Sequence, residues 1–355
     1  MATIAEILAR CGLPRPLEMR PDDPTGFLFP FHEEGVAICA GLTRSRECQF
    51  TFVESAEMQA IALQDEIDIV AMYAGMFWLL CRLASNAAAS GVFPAMVGGN
   101  DPQWKPDIDR SLQLPRDLLE EGKPFDWQAE SLTWIEYPER QMLFITILNI
   151  LFRFVAYHEL GHFWNDHSLR RMGEAANFCV DAIGGDRPDA KGSIASQARE
   201  IIADSFAFKR TVEVIDRELD LKAELEMTKI VRKKLLPDRE AVAEFVLIII
   251  FLYFRVSDLS GRHGQARDTL THPPAPFRAK ALAAALLEHR HLDISENSAS
   301  LAVQKAVLGS DALMSLMLGI YPNLKWLDSV SGSDDDVHFR KIYDEIPRWH
   351  GRLDP

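Results

Sequence analysis

Apolar positions along the chain fall into long blocks of helical spacing, with one β-rich stretch near the N-terminus. The opening MATIAEILARCGLP reads as a short amphipathic helix stopped by Gly12 and Pro14. Within residues 35–55, the segments GVAICAGL and CQFTFVES are rich in β-formers and flank the polar TRSRE, a pattern that predicts a hairpin. From residues 57 to 88 the spacing turns helical, with Ile67, Val70, Ala71, Ala74, Phe77, Trp78 and Cys81 on the core-facing side. Residues 91–126 are polar and proline-containing, with GGNDPQWKPD as the least regular part, and read as a loop or cover. SLTWIEY, 131–137, is a short strand candidate, and Pro138 suits the first turn of the helix that runs into YHELGH.

Downstream, residues 173–193 hold IGGDRPDAKGS, too polar and too rich in breakers for a core. Helix resumes near Ala195 and passes Phe208, a second helical block covers 220–255, SGRHGQ interrupts it, and 276–289 is helical again. No internal repeat or strong boundary divides the chain. The expectation is one domain over 1–355: a hairpin, helix and irregular cover in 35–137, the central helices in 138–290, and a helical C-terminal extension in 291–355. The fold class expected is α+β, mainly α, with long buried helices and a small antiparallel sheet or hairpin.

Two apolar runs raise the question of a membrane. FVLIIIFLYF, 245–254, is about half a span, and 142–157 carries Asn149 and Arg153, so both are expected as buried helices. The N-terminus lacks the basic region of a secretory leader. Five cysteines form no CxxC pair, which suits reduced thiols in a cytoplasmic setting. With 52 acidic against 38 basic residues, the formal charge of −14 argues against a nucleic-acid surface. The basic cluster Arg232, Lys233 and Lys234 reads as a solvent-facing helix end.

The chemistry concentrates at His158-Glu159-Leu160-Gly161-His162. Histidines four apart project from one helical face toward a single ion about 2.0–2.1 Å from each ring nitrogen. Glu159 adjoins the first, and HExxH is the zincin pattern, in which the metal lowers the pKa of its water to about 7 and the glutamate takes the proton. A third ligand is needed. The metzincin pattern fails, because Asn165 and Ser168 stand where its glycine and histidine belong. On a continuing helix His167 points away from the metal face and reads as an exposed helix-end residue, and Cys179 has no ligand spacing to anything. Glu200 is the better choice: in AREIIADSFAFK it lies four residues before Asp204, so a second helix can offer one carboxylate to the metal and another to an imidazole N–H. Two histidines and a glutamate suit one zinc ion per chain best, and the set also accommodates iron, manganese or cobalt. In THPPAPFRAKAL, His272 is a candidate donor to a developing oxyanion, and Arg278 supports it or binds a substrate carboxylate.

The ordered set HELGH, EIIAD and THPPAPFR resembles the gluzincin metallopeptidases. Two groups within them share a Thr-His-Pro segment, the HtpX-like and CAAX prenyl endopeptidases and the Lit-type phage-exclusion peptidases. The aromatic helix EIDIVAMYAGMFWLLCRL, the place of His167 and the helical block before THP make the likeness to the Lit type extend further. It covers roughly 35–285 as ordered motifs. The resemblance implies a zincin-like core, metal ligation by His158, His162 and Glu200, base action by Glu159, a supporting place for Asp204 and a catalytic-site place for His272. It also implies cleavage of a host protein such as a translation factor during phage infection. The longer connection between His167 and Glu200 and the unmatched region beyond residue 292, with its acidic SDDDVHF, depart from that pattern. The alternative function is a zincin-fold binding or sensing module with regulated or no protease activity, its site occluded by 91–126 or by the loop around Gly184.

Overall fold

The computed structural model describes residues 2–19, 28–41, 46–93, 96, 137–167, 190–222, 224–259, 270, 272–288, 294–331 and 337–351. Helix α1 (Ile4–Arg10) opens on a capping box between Thr3 and Glu6 and ends where Gly12 turns the chain at φ +68°. Helix α2 (Leu28–Gly41) occupies the place where the first strand of a hairpin was expected. Its buried residues Phe31, Gly35, Ile38 and Cys39 follow helical spacing, and the apolar run GVAICAGL is only its second half. A Cβ on Gly35 would lie 2.4 Å from the Phe50 ring, so only glycine lets this helix sit so close to the sheet.

The sheet has three strands, β1 (Cys48–Val53), β2 (Ala60–Gln64) and β3 (Asp68–Tyr73), in the order β1-β3-β2. It is mixed rather than antiparallel: β3 runs parallel to β1, with Cys48 opposite Asp68, and antiparallel to β2, with Ala62 opposite Val70. The long helix expected over 57–88 is thus two strands followed by α3 (Ala74–Ala89). Every residue of β3 is buried, so the alternation that marks a strand is absent from its sequence.

The remaining helices are α4 (Pro138–Trp164), α5 (Ala190–Leu221), α6 (Glu226–Lys234), α7 (Arg239–Leu259), α8 (Ala275–Glu288), α9 (Glu296–Leu318), α10 (Leu324–Ser331) and α11 (Val337–Trp349). The architecture is mainly helical with a small sheet, as the apolar pattern predicts. Pro138 opens α4, where its missing N–H costs nothing. Helix α4 is the spine of the core: Leu143, Phe144, Ile147, Leu148, Leu151 and Phe154 are buried along it, while Phe152 meets Phe31 at 5.1 Å and Phe50 at 5.7 Å between ring centroids. By length and composition α4 and α9 are apolar enough to cross a membrane, but 83% of the α4 window is buried inside the molecule. The run at 245–254 lies in α7 and is buried as well. Arg153, the charge that interrupts the α4 run, is buried between Glu34 of α2 and Glu218 of α5, with 2.7 Å to the latter. The basic residues 232–234 form the last turn of α6, where Arg232 is held by Asp216 and Asp220. The strand candidate at 131–136, most of the irregular 91–126 stretch, the 173–189 connection and Cys179 lie outside the described residues.

Candidate metal centre

The last turns of α4 carry His158, Glu159 and His162, and α5 crosses them with Glu200 and Asp204 one turn apart on its facing side. Gly161 permits the crossing. A Cβ there would stand 3.1 Å from the Ala203 Cα and 3.2 Å from the Phe206 ring, so the glycine of HELGH lets the two helix backbones approach. One ligand atom from each of His158, His162 and Glu200 lies within 4.8 Å of the other two. His158 Nε2 is 3.2 Å from Glu200 Oε2, and His162 Nε2 is 3.5 Å from Glu200 Oε1.

Behind this face, His158 Nδ1 is 2.8 Å from Asp204 Oδ1. Asp204 is fully buried and accepts from the Arg278 fork, at 2.7 Å from Nε and 2.6 Å from Nη2. The Arg278 guanidinium also stacks 4.2 Å over Phe254. Arg278 is therefore committed to Asp204, and the alternative of a substrate carboxylate has no geometric support. A buried chain of contacts, Arg278 to Asp204 to His158, sets the orientation of one imidazole, which is the service predicted for Asp204. His272 stands at the outer side, its side chain 40% exposed and Nε2 3.2 Å from Glu200 Oε2.

Electrostatics separate the groups. Burial opposes the charge on His158, but Asp204 and Glu200 override it and hold its pKa at about 10. His162, desolvated and close to the other cations, falls to about 4. Burial works against ionised Glu200, yet His272, His158 and His162 keep it well below the usual carboxylate range; burial also opposes ionised Asp204, and Arg278 and His158 lower its pKa. Glu159 is different: burial lifts it to about 7, with His158, Arg278 and the Ala62 amide acting against the rise and Glu200 adding to it. A carboxyl poised near neutrality beside a cluster of ionised partners suits a proton carrier.

These residues fit a bound cation. Glu200 Oε2 is buried, makes no hydrogen bond of ordinary geometry and lies 3.2 Å from the Nε2 atoms of both His158 and His272. The donor set is two nitrogens and a carboxylate, a combination that leaves coordination room. All seven residues singled out in the sequence, His158, Glu159, His162, Glu200, Asp204, His272 and Arg278, meet at this centre.

Three features escaped the sequence reading. His167 is buried, not an exposed helix-end residue: α4 stops at Trp164, Asp166 takes the left-handed φ of 53°, and the turn brings His167 Nδ1 to 2.9 Å from His162 Nδ1. The Asn-Asp pair after the helix, tolerant of such a turn, is the signal that would have shown it. The second feature is the backbone of β2 at Ala62, which faces Glu159. The third is Tyr253, from the apolar run of α7, whose buried hydroxyl is pushed up by desolvation within the fields of Arg278, Asp204 and Glu159. Tyr157, inside YHELGH itself, belongs to the core. No protein-family model, curated protein or solved structure matches this chain.

Proposed function

We propose that the protein is a zinc-dependent endopeptidase that hydrolyses peptide bonds of an intracellular protein. The observation that carries the reading is the placement of buried Glu159, with a pKa near 7, between the His158–His162–Glu200 group and the edge of the sheet. Bound zinc would be held by His158 Nε2, His162 Nε2 and the Glu200 carboxylate, and would supply a Lewis acid that polarises a carbonyl and acidifies a water. Glu159 takes the proton of the attacking water and returns it to the leaving amine. His272, at the open side, donates to the oxygen on which negative charge develops. Asp204 keeps the His158 proton on Nδ1, so that Nε2 presents its lone pair.

The polypeptide class of the substrate comes from β2. The Tyr73 N–H donates to the Gln59 carbonyl, and this register turns the N–H and C=O groups of Ala60, Ala62 and Gln64 away from β3. Among the described residues strand β2 is an outer strand of the three-stranded sheet, and it packs against α4. An extended substrate segment pairing there lies across Glu159. From the motif resemblance we extend the proposal to a cytoplasmic role in phage exclusion, with a host protein such as a translation factor as the substrate.

Elemental analysis of protein prepared without added metal is the first test. About one zinc per chain in the wild type, much reduced in Glu200→Ala and His158→Ala, is expected; equal metal in all three would remove the ligand assignment. Glu159→Gln should retain zinc and lose turnover, so undiminished proteolysis by that variant would rule out the mechanism. Phage plating on cells expressing the wild type but not Glu159→Gln should fall, and equal plating on both would remove the exclusion role.

A further inference from the structure

We propose that His167, backed by the C-terminal helix α11, is the positioning residue of His162, which makes the last helix of the chain a working part of the metal centre. The inference rests on the reading of His162 as a ligand through Nε2. If Nε2, 3.5 Å from Glu200 Oε1, offers its lone pair to an ion shared with that carboxylate, the ring proton of neutral His162 must sit on Nδ1. That N–H is 2.9 Å from His167 Nδ1, which must then accept it. His167 consequently carries its own proton on Nε2, an atom that is fully buried and makes no hydrogen bond of ordinary geometry. The backbone that faces His167 is that of Trp349, the final residue of α11. The carbonyls of a last helical turn have no intrahelical partner and carry the negative end of the helix dipole, so they are suited to a buried N–H. With both Nδ1 atoms directed at each other, His167 is not itself placed as a ligand.

Helix α11 is anchored to both elements that carry the centre. On α5, Trp349 packs under Arg199 at 4.7 Å, His338 Nε2 lies 2.9 Å from Gln197 Oε1, and Ile342 is fully buried. At the end of α4, the Gly351 N–H donates to Asn165 Oδ1 at 2.8 Å, while Asn165 Nδ2 donates to the Gly161 carbonyl at 2.8 Å. The two imidazoles of HELGH are therefore oriented by different means: His158 by the Arg278–Asp204 pair, and His162 by His167 and the chain terminus. The C-terminal region that has no counterpart in the resembled motifs thus acquires a place in the site.

The test measures zinc affinity, by competition with a chromophoric chelator, and the ligand-field spectrum of the cobalt-substituted full-length protein. His167→Leu should weaken zinc binding about 10–100-fold and change the cobalt spectrum, while the far-ultraviolet circular dichroism of the metal-free protein stays that of the wild type. In His167→Gln the amide oxygen can accept from His162 and the amide nitrogen can donate to the Trp349 carbonyl, so affinity should return to within about threefold of wild type. Ile342→Ala, which loosens α11, should weaken binding in the wild type and have no further effect in His167→Leu. Wild-type affinity and an unchanged cobalt spectrum in His167→Leu would overturn the inference, as would fully additive effects of the Ile342 and His167 substitutions. A wild type that binds no zinc would instead overturn the endopeptidase reading beneath it.

Discussion

Asp204 shows at the scale of one residue how this centre is held. Its carboxylate is completely buried, and its stability as an anion depends on the Arg278 fork and on His158. Arg278→Met removes the larger partner and leaves a buried charge short of compensation, a change that costs about 3–5 kcal/mol. Chemical denaturation should detect it, and a variant as stable as the wild type would show that the fork does not hold Asp204. The protonation of His158 makes a second prediction. Its folded pKa of about 10 lies above the ordinary 6.5, so in metal-free protein its charge stabilises the fold fully below pH 6.5, and that contribution disappears as the pH rises toward 10. On the proposed ligand set, zinc would have to displace this proton from Nε2, whereas His162, with a pKa of about 4, is already neutral. Apparent zinc affinity should therefore rise with pH between 6.5 and 10. Calorimetry near pH ~8 in buffers of different ionisation enthalpy should show at least about one proton released per zinc, that of His158, and Glu159→Gln should leave this release in place. Affinity independent of pH over that range would mean that His158 does not bind the metal through a displaced proton.

At the scale of elements, the decisive contact is the crossing of α4 and α5 at Gly161. Gly161→Val forces branched atoms into the space beside Ala203 and Phe206, an overpacking that costs about 1–3 kcal/mol. Because the same crossing sets the distance from His158 and His162 to Glu200, the substitution should lower zinc affinity along with the melting temperature. A destabilised variant with wild-type affinity would show that the ligand spacing does not depend on this approach. The strands teach a related lesson. Residues 60–73 look helical because β3 is buried on both faces and lacks alternation, and α2 looks like a strand because its β-branched half resembles one. Neither error touches α4 or α5, which are far too long for strands.

For the whole molecule, a metal that binds only the folded centre stabilises it by mass action. At zinc a hundredfold above Kd the gain is about 2.7 kcal/mol, so chelation should lower the melting temperature of the wild type and leave that of Glu200→Ala unmoved. A wild-type transition insensitive to chelator would place the ion outside the folded core. The centre joins regions remote in the chain: α4 and α5 bring His158, His162 and Glu200, α8 brings Arg278, and α11 closes on both from the C-terminus. Loss of any of these elements acts on the same few atoms.

The sequence by itself determined the helical class and which residues could hold a metal. HELGH, the Glu200–Asp204 spacing and the His272 to Arg278 segment are local patterns, and a helix of 3.6 residues per turn puts i and i+4 on one face whatever surrounds it. What only the tertiary structure decided are the contacts that depend on how one element lies against another. The assignment of Arg278 to Asp204, the approach of β2 to Glu159 and the mixed order of the sheet belong here. So does the burial of His167, because a single residue in the left-handed region redirects the chain after α4, and the Trp349 backbone that faces it is supplied by a helix that begins 170 residues later at Val337. No periodicity encodes such a meeting, since it arises from the packing of α11 on α5 and not from the spacing of residues along either helix.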